Sequence, residues 1–139
     1  MIKDHKEKHH IFVVLATAVA EVGRDHDYDW AIVEPSSMRS IIQLAGRVQR
    51  HRKQVPEGEN IHILSKNLKG IKGVSPSFEK PGFETKKLCY ASVELSDLIT
   101  EDEFDEVNAV ARIKAPNTLA LTKGNSPRFK SFNELEHFA

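Results

Sequence analysis

The alternation of apolar and polar positions predicts an α/β arrangement over the first half of the chain. Residues 11–15, IFVVL, are continuously apolar and rich in β-branched side chains, which is typical of a strand buried on both faces of a parallel sheet. Residues 30–33 and 61–64 are two further short apolar runs, and each predicts a strand. Between them, over residues 38–52, apolar side chains recur at helical spacing. The order strand, strand, helix, strand is an α/β pattern, although it does not fix the order of the strands in the sheet.

The pattern changes after residue 68. Residues 69–87 are rich in Gly, Pro and Lys and predict a linker loop, and residues 88–95 predict either a strand or the entry to a helix. Thr100 and Glu103 have the spacing of a capping box, which opens a helix that Pro116 ends. The final FNELEHFA has helical composition and fits a truncated helix as well as a natural terminus. We therefore divide the chain into a flexible start (1–10), an α/β segment (11–68), a linker loop (69–87) and a linker or helical segment (88–139).

Composition limits the classes of function. The 139 residues carry 20 basic and 20 acidic side chains, so a nucleic-acid partner has to be argued from local charge. Residues 39–53 hold five basic residues and no acid. Cys89 is the single cysteine, which excludes a disulfide within one chain and fits a reducing cytoplasm, our expected location. No apolar run approaches the roughly 18 residues that span a bilayer, so we expect no membrane partner.

The stretch ATAVAEVGRDHDYD, residues 16–29, follows the first predicted strand. Ligand sites of open α/β sheets lie at the carboxyl ends of strands. A hydroxyl group among small residues lets backbone N–H groups approach a phosphate. This stretch is therefore a candidate phosphate-binding loop.

A second candidate lies on the predicted helix, where Gln43, Arg47 and Arg50 have i, i+4 and i+7 spacing and would share one face. Gly46 in the middle of a helix costs about 1 kcal/mol relative to Ala, which indicates that something passes close to it. Guanidinium groups bind phosphate oxygens bidentately, and an arginine finger stabilises charge that develops on a γ-phosphate. This row of side chains therefore predicts recognition of a polyphosphate.

Both stretches resemble helicase motifs. Q-x-x-G-R-x-x-R resembles motif VI of superfamily-two helicases, and A-T-x-x-x-E-x-G-x-D-x-D-x-D resembles the motif V variant of the CRISPR-associated helicase–nuclease of type I interference systems. The flanking WAIVEPSSMRSIIQLAGRVQRHR is most similar to subtype I-F. The resemblance covers residues 11 to about 67. It implies the C-terminal part of a second RecA-like lobe, with a three-strand parallel core and helices, followed by a loop and a helical segment.

The resemblance implies a nucleotide wall built from motif VI. Arg47 and Arg50 would face the γ-phosphate of ATP as catalytic groups, with Arg50 preferred as the arginine finger. Gln43 and Gly46 would lie at the nucleotide with them. ATP and Mg²⁺ would be cofactors of the intact protein, whereas we expect this chain alone to bind neither.

The resemblance also implies contacts by motif V. Asp25 matches the acid that couples the nucleotide to the DNA site, and we count it with the nucleotide-binding residues. Thr17 matches the residue that contacts a DNA phosphate. Ala18 stands where the family often has glutamine, and Gly23 replaces a small polar residue, which indicates a subtype variant. The implied partners are single-stranded DNA, the remainder of the helicase and a CRISPR-RNA-guided surveillance complex.

Several motifs of a complete helicase–nuclease are absent from the sequence. It contains no G-x-x-x-x-G-K-[ST] loop, no D-E-x-H-type magnesium motif and no match to the family's His-Asp nuclease cluster. We therefore predict that the isolated chain neither hydrolyses ATP nor cuts DNA. A partial lobe would also expose a sheet edge, which predicts a homodimer or strand exchange.

Alternatives remain at this point. The chain could be a stand-alone interaction protein derived from the helicase, acting as a decoy or regulator of the interference complex, or a gene remnant. The alternating acids of DHDYD, residues 25–29, could hold Mg²⁺ or Ca²⁺, although structural roles are favoured. His5, His9 and His10 are expected in a solvated start, and Cys89 as a small buried residue.

Overall fold

Short parallel strand pairs and short helices alternate along the residues that the structure, a computed structural model, describes: 6–52, 55–113 and 128–139. The strands are β1 (Ala31–Val33), β2 (Ile61–Ile63), β3 (Cys89–Tyr90) and β4 (Arg128–Phe129). The helices are α1 (Met38–Ala45), α2 (Leu68–Ile71), α3 (Glu101–Asp105), α4 (Val110–Ile113) and α5 (Phe132–Phe138). Two 3-10 turns, Ala18–Glu21 and Leu95–Asp97, complete the described elements. In these ranges no helix is long and apolar enough to cross a membrane.

Strands β1 and β2 form a parallel pair, and α1 lies on the connection between them. Ala31 is opposite Ile61 and Val33 is opposite Ile63. The N–H of Ala31 donates to the carbonyl of Asn60 at 2.9 Å. The strands predicted at residues 30–33 and 61–64 are thus confirmed, and the unit is compatible with a partial α/β lobe.

The strand predicted at residues 11–15 is wrong for this structure. These residues have no regular secondary structure, and their side chains are between 62% exposed, at Val14, and 99% exposed, at Leu15. A strand buried on both faces requires neighbouring strands and covering layers. Among the described residues no strand pairs with this run. The expected three-strand core is therefore present as two strands, and a RecA-like core is not confirmed.

Helix α1 begins where the sequence predicts and ends seven residues early. The Ser37 hydroxyl accepts the N–H of Ser40 at 3.1 Å, which caps the first turn. The helix ends at Ala45, and the N–H of Gly46 donates to the carbonyl of Ile42 at 3.1 Å. A glycine disfavours the helical conformation, because it has the most conformational freedom to lose there. The backbone groups of Arg47 and Gln49, which follow Gly46, are hydrogen-bonded to Tyr28 instead of continuing the helix. The predicted helix over 38–52 is therefore correct only for its first half.

The hydrophobic core is centred on three aromatic rings that meet edge to face. Phe78, Tyr90 and Phe132 have ring centroids 5.1–5.6 Å apart. Met38 and Ile41 of α1 pack against them, each 1% exposed. Helix α1 is thus held by the later part of the chain.

The stretch 69–87, predicted as a linker loop, contributes directly to this core. Its Phe78 is fully buried. Glu84 is also buried, and its carboxylate accepts the N–H groups of Phe78 and Tyr90, each at 2.7 Å. A buried carboxylate is stabilised when backbone donors satisfy it. Apart from residues 69–71, which belong to α2, the stretch is therefore irregular in secondary structure and packed in tertiary structure.

The C-terminal part follows the predicted elements with one interruption. The Thr100 N–H donates to the Glu103 carboxylate at 2.9 Å, as a capping box requires. The predicted single helix is broken into α3 and α4, while Pro116 lies outside the described residues. The helix predicted from FNELEHFA is confirmed as α5.

Cys89 in β3 is half-buried rather than fully buried. Its thiol donates to the carbonyl of Thr85 at 3.1 Å. Burial, followed by the charge of Glu84, raises the pKa of this thiol. The thiol therefore stays protonated at neutral pH and is a poor nucleophile.

Candidate nucleotide and nucleic-acid site

The two motif stretches of the sequence lie side by side, joined first through their backbones. The N–H of Tyr28 donates to the carbonyl of Arg47 at 2.9 Å, and the N–H of Gln49 donates to the carbonyl of Tyr28 at 2.8 Å. Tyr28 and Val48 thus form an isolated parallel bridge. These bonds satisfy backbone groups that a longer α1 would have used, which explains why the helix ends early.

Glu21 is the side-chain link between the stretches. Its carbonyl accepts Nη2 of Arg47 at 2.9 Å, and its carboxylate accepts the hydroxyl of Ser40 at 3.0 Å. Burial raises the pKa of the Glu21 carboxyl, with the Ser40 hydrogen bond acting in the opposite direction. The 3-10 turn at Ala18–Glu21 is thereby fixed against α1.

The structure does not place Gln43, Arg47 and Arg50 on one helical face. Gln43 lies in α1, whereas both arginines follow the end of the helix. Arg47 is half-buried and its Nε has no hydrogen-bond partner among the described residues. Arg50 is exposed and follows Gln49, whose φ is 49°. The tight turn at Gln49, rather than helical periodicity, sets the direction of Arg50.

Gly46 has a different role from the predicted one. A Cβ at this position would meet only the carbonyl oxygens of Ile42 and Gln43, at 3.5 and 3.6 Å, which is ordinary contact. The interpretation that Gly46 admits a close neighbour in mid-helix is therefore wrong. The glycine is the C-cap residue of α1 and has a φ of −66°, which other residues also adopt.

Thr17 and Asp25 lie on the other stretch, and both are exposed. Thr17 precedes the 3-10 turn, and its carbonyl accepts the N–H of Ala20 at 3.0 Å. Its hydroxyl makes no capping hydrogen bond. The structure thus leaves this hydroxyl accessible, while no described contact joins Thr17 or Asp25 to the arginines.

The acids of DHDYD have an ion-pair partner that the sequence interpretation missed. Arg52 contacts the carboxylates of Asp27, at 3.5 Å, and Asp29. Within the described ranges no three acidic, histidine or cysteine side chains converge on a potential metal position. The only sequence indication of this pairing is that Arg52 lies in a stretch, residues 39–53, that contains no acid. The Glu21–Ser40 contact, between residues 19 positions apart, has no indication in spacing.

Comparison with known proteins identifies a protein family whose sequence pattern matches the residues of this site. The family described as "CRISPR-associated nuclease/helicase Cas3, C-terminal" matches residues 1–53, which include both motif stretches. The resemblance noted in the sequence is therefore supported by a family match at the same residues.

Two relatives then identify the subtype. The chain is 54% identical over 110 residues to the CRISPR-associated nuclease/helicase Cas3 of subtype I-F/YPEST from Pseudomonas aeruginosa, covering 79% of this chain and 10% of that protein. It is 49% identical over 122 residues to the protein of the same description from Pectobacterium atrosepticum, covering 86% and 11%. The chain is thus homologous to a C-terminal segment of Cas3 helicase–nucleases and spans about a tenth of the length of the curated relatives it matches.

Proposed function

We propose that this chain is one wall of the nucleotide site, and part of the DNA path, of a CRISPR-associated helicase–nuclease that acts in antiviral defence. The contact between the two motif stretches carries the proposal. Motif V and motif VI residues are held together by the Tyr28–Val48 bridge and by the Arg47–Glu21 hydrogen bond. A nucleotide contact and a DNA contact made by two segments that are hydrogen-bonded to each other can be coupled through those bonds.

On this proposal the two arginines differ in availability. Arg50 is exposed and no described acid pairs with it, so it is the arginine finger that meets the γ-phosphate of ATP. Arg47 donates from Nη2 to the Glu21 carbonyl at 2.9 Å and from Nη1 to the Gly46 carbonyl at 3.5 Å, and it would have to leave these carbonyls to reach the nucleotide. Gln43 and Gly46 would lie beside the two arginines at the same nucleotide site. An exposed guanidinium loses few existing hydrogen bonds when it binds a phosphate.

The motif V stretch supplies the DNA side. Thr17 keeps an accessible hydroxyl, which would donate to a phosphate of single-stranded DNA. Asp25, exposed between Thr17 and the Tyr28 bridge, would transmit the state of the nucleotide to that contact. The phosphate-binding loop and the magnesium-binding acids would come from the remainder of the helicase, together with the surveillance complex as a further partner.

The proposal is tested by a chimera in which the aligned segment of the Pseudomonas aeruginosa relative is replaced by this chain's residues. Arg50→Lys in the chimera is expected to lower DNA-stimulated ATP turnover by about 10³-fold or more, because lysine cannot donate as a planar fork. Thr17→Val should leave basal ATP hydrolysis unchanged and reduce its stimulation by single-stranded DNA. ATP turnover is measured over a range of ATP concentrations to separate kcat from KM.

Arg128→Lys is the matched control, because Arg128 is an exposed arginine in β4, which pairs with β3 and not with either motif stretch. It should leave turnover unchanged. If Arg50→Lys behaves like Arg128→Lys, Arg50 is not the arginine finger and the proposed nucleotide wall is wrong.

A further inference from the structure

The segment DHDYDW, residues 25–30, alternates acids with rings, with bends at Asp25 and Asp29 and an isolated β-bridge at Tyr28. Arg52 pairs with two of the acids, Asp27 and Asp29. The rings of His26 and Tyr28 stack on each other, with centroids 5.3 Å apart and planes inclined by 19°. The segment thus carries two acids held by one arginine and a pair of stacked rings.

The lack of a side chain at Gly23 leaves space for the ring of His26. A Cβ on Gly23 would lie 2.1 Å from both Cδ2 and Nε2 of His26. The imidazole therefore rests against bare backbone, and any side chain at position 23 would displace it. This accounts for a glycine where the resembled motif has a small polar residue.

The rings are accessible and have a basic neighbour in the chain. His26 is exposed, Tyr28 is half-buried and Trp30, at the next position of the same alternation, is 51% exposed. Arg24 is exposed and lies two residues before His26, with the exposed acid Asp25 between them. Aromatic surface beside basic side chains is the combination by which proteins hold single-stranded nucleic acids.

We propose that His26 and Tyr28, continued by Trp30, form a stacking surface for a nucleobase, with Arg24 two residues from His26 for a flanking phosphate. The ligand is a base of single-stranded DNA. This inference rests on the proposed function for the nearby phosphate contact, and it adds a direct contact to the base. Stacking tolerates any base, since every base presents a π face.

The test uses fluorescence anisotropy of end-labelled ten-nucleotide strands with the 139-residue chain. One strand is oligo(dT), and the other is an abasic strand with the same number of phosphates. Oligo(dT) is expected to bind about tenfold more tightly than the abasic strand. His26→Ala and Gly23→Ala should each remove that difference and leave abasic binding unchanged. Gly23→Ala is the sharper variant, because it removes no charge and no ring.

Two variants serve as matched controls. His62→Ala removes an exposed histidine of β2, and Gly58→Ala adds a Cβ where no atom lies within 4 Å. Both should bind oligo(dT) like the unsubstituted chain. If Gly23→Ala does not fold, as judged by circular dichroism, His26→Ala decides the result.

The outcomes separate this inference from the proposed function. Equal binding of the two strands would overturn base stacking and leave the phosphate contact intact. Failure of both strands to bind would overturn base stacking by this chain, whereas the proposed function is decided separately by the ATP turnover of the chimera. AMP is added as a competitor: displacement of oligo(dT) by AMP from the unsubstituted chain but not from His26→Ala would overturn single-stranded DNA as the ligand and assign the surface to the base of a nucleotide.

Discussion

Two apolar stretches of this chain have opposite environments. Residues 11–15 are five consecutive apolar residues, and each side chain is at least 62% exposed. In α1, Met38 and Ile41 are 1% exposed, although the helix also carries polar residues. Helix α1 meets α5 and the aromatic core, whereas no described strand lies beside the first run. Apolar character thus sets the tendency to be buried, and neighbouring elements decide whether burial occurs.

The sharpest test of this contrast compares two phenylalanines. Phe132→Ala should lower the free energy of unfolding by about 3–5 kcal/mol, because it leaves a cavity between Phe78 and Tyr90. Phe12→Ala, at 72% exposure, should change it by less than about 0.5 kcal/mol. Urea denaturation followed by circular dichroism measures both. A large loss for Phe12→Ala, growing with protein concentration, would show that a second copy covers residues 11–15.

A smaller effect is expected where α5 holds the start of α1. The Glu136 carboxylate accepts the N–H of Met38 at 2.5 Å and that of Arg39 at 3.3 Å. Glu136→Gln should lower the free energy of unfolding by about 1–3 kcal/mol, since a charged acceptor at a helix N-terminus is lost. Glu101→Gln, at an exposed position, is the control. Equal stability of the two variants would mean that α5 is held by apolar packing alone.

The smallest effect is expected at Glu21, whose carboxylate joins the 3-10 turn Ala18–Glu21 to Ser40 of α1. Burial raises the pKa of its carboxyl above the ordinary value of 4.5, so the docked turn retains a proton more strongly than the undocked turn. Docking should therefore be most stable below pH 4.5 and weaken as the pH rises through the raised pKa. Hydrogen exchange of residues 18–30, corrected for intrinsic pH dependence, measures this. Glu21→Gln should abolish the pH dependence, and its persistence in that variant would exclude Glu21 as the cause.

The sequence predicted elements whose causes are local. The strands at β1 and β2 follow from short apolar runs, and the start of α1 follows from Ser37. The end of α1 could not be predicted from the sequence. The backbone groups of Arg47 and Gln49 bond instead to Tyr28, some twenty residues away. The candidate residues Thr17, Asp25, Gln43, Arg47 and Arg50 could be named from motif spacing. Their arrangement could not, since it depends on the Glu21 contacts and on the turn at Gln49.

What the sequence determined by itself is the homology to Cas3 helicase–nucleases and the chemical character of the two motif stretches. Both depend on residue types at fixed spacing, which the chain carries whether or not it is folded. Only the tertiary structure decided that Arg47 is bound to Glu21 while Arg50 is exposed, and that Phe78 is core rather than linker. These outcomes depend on which distant backbone and apolar groups can satisfy one another, and spacing along the chain does not contain that information.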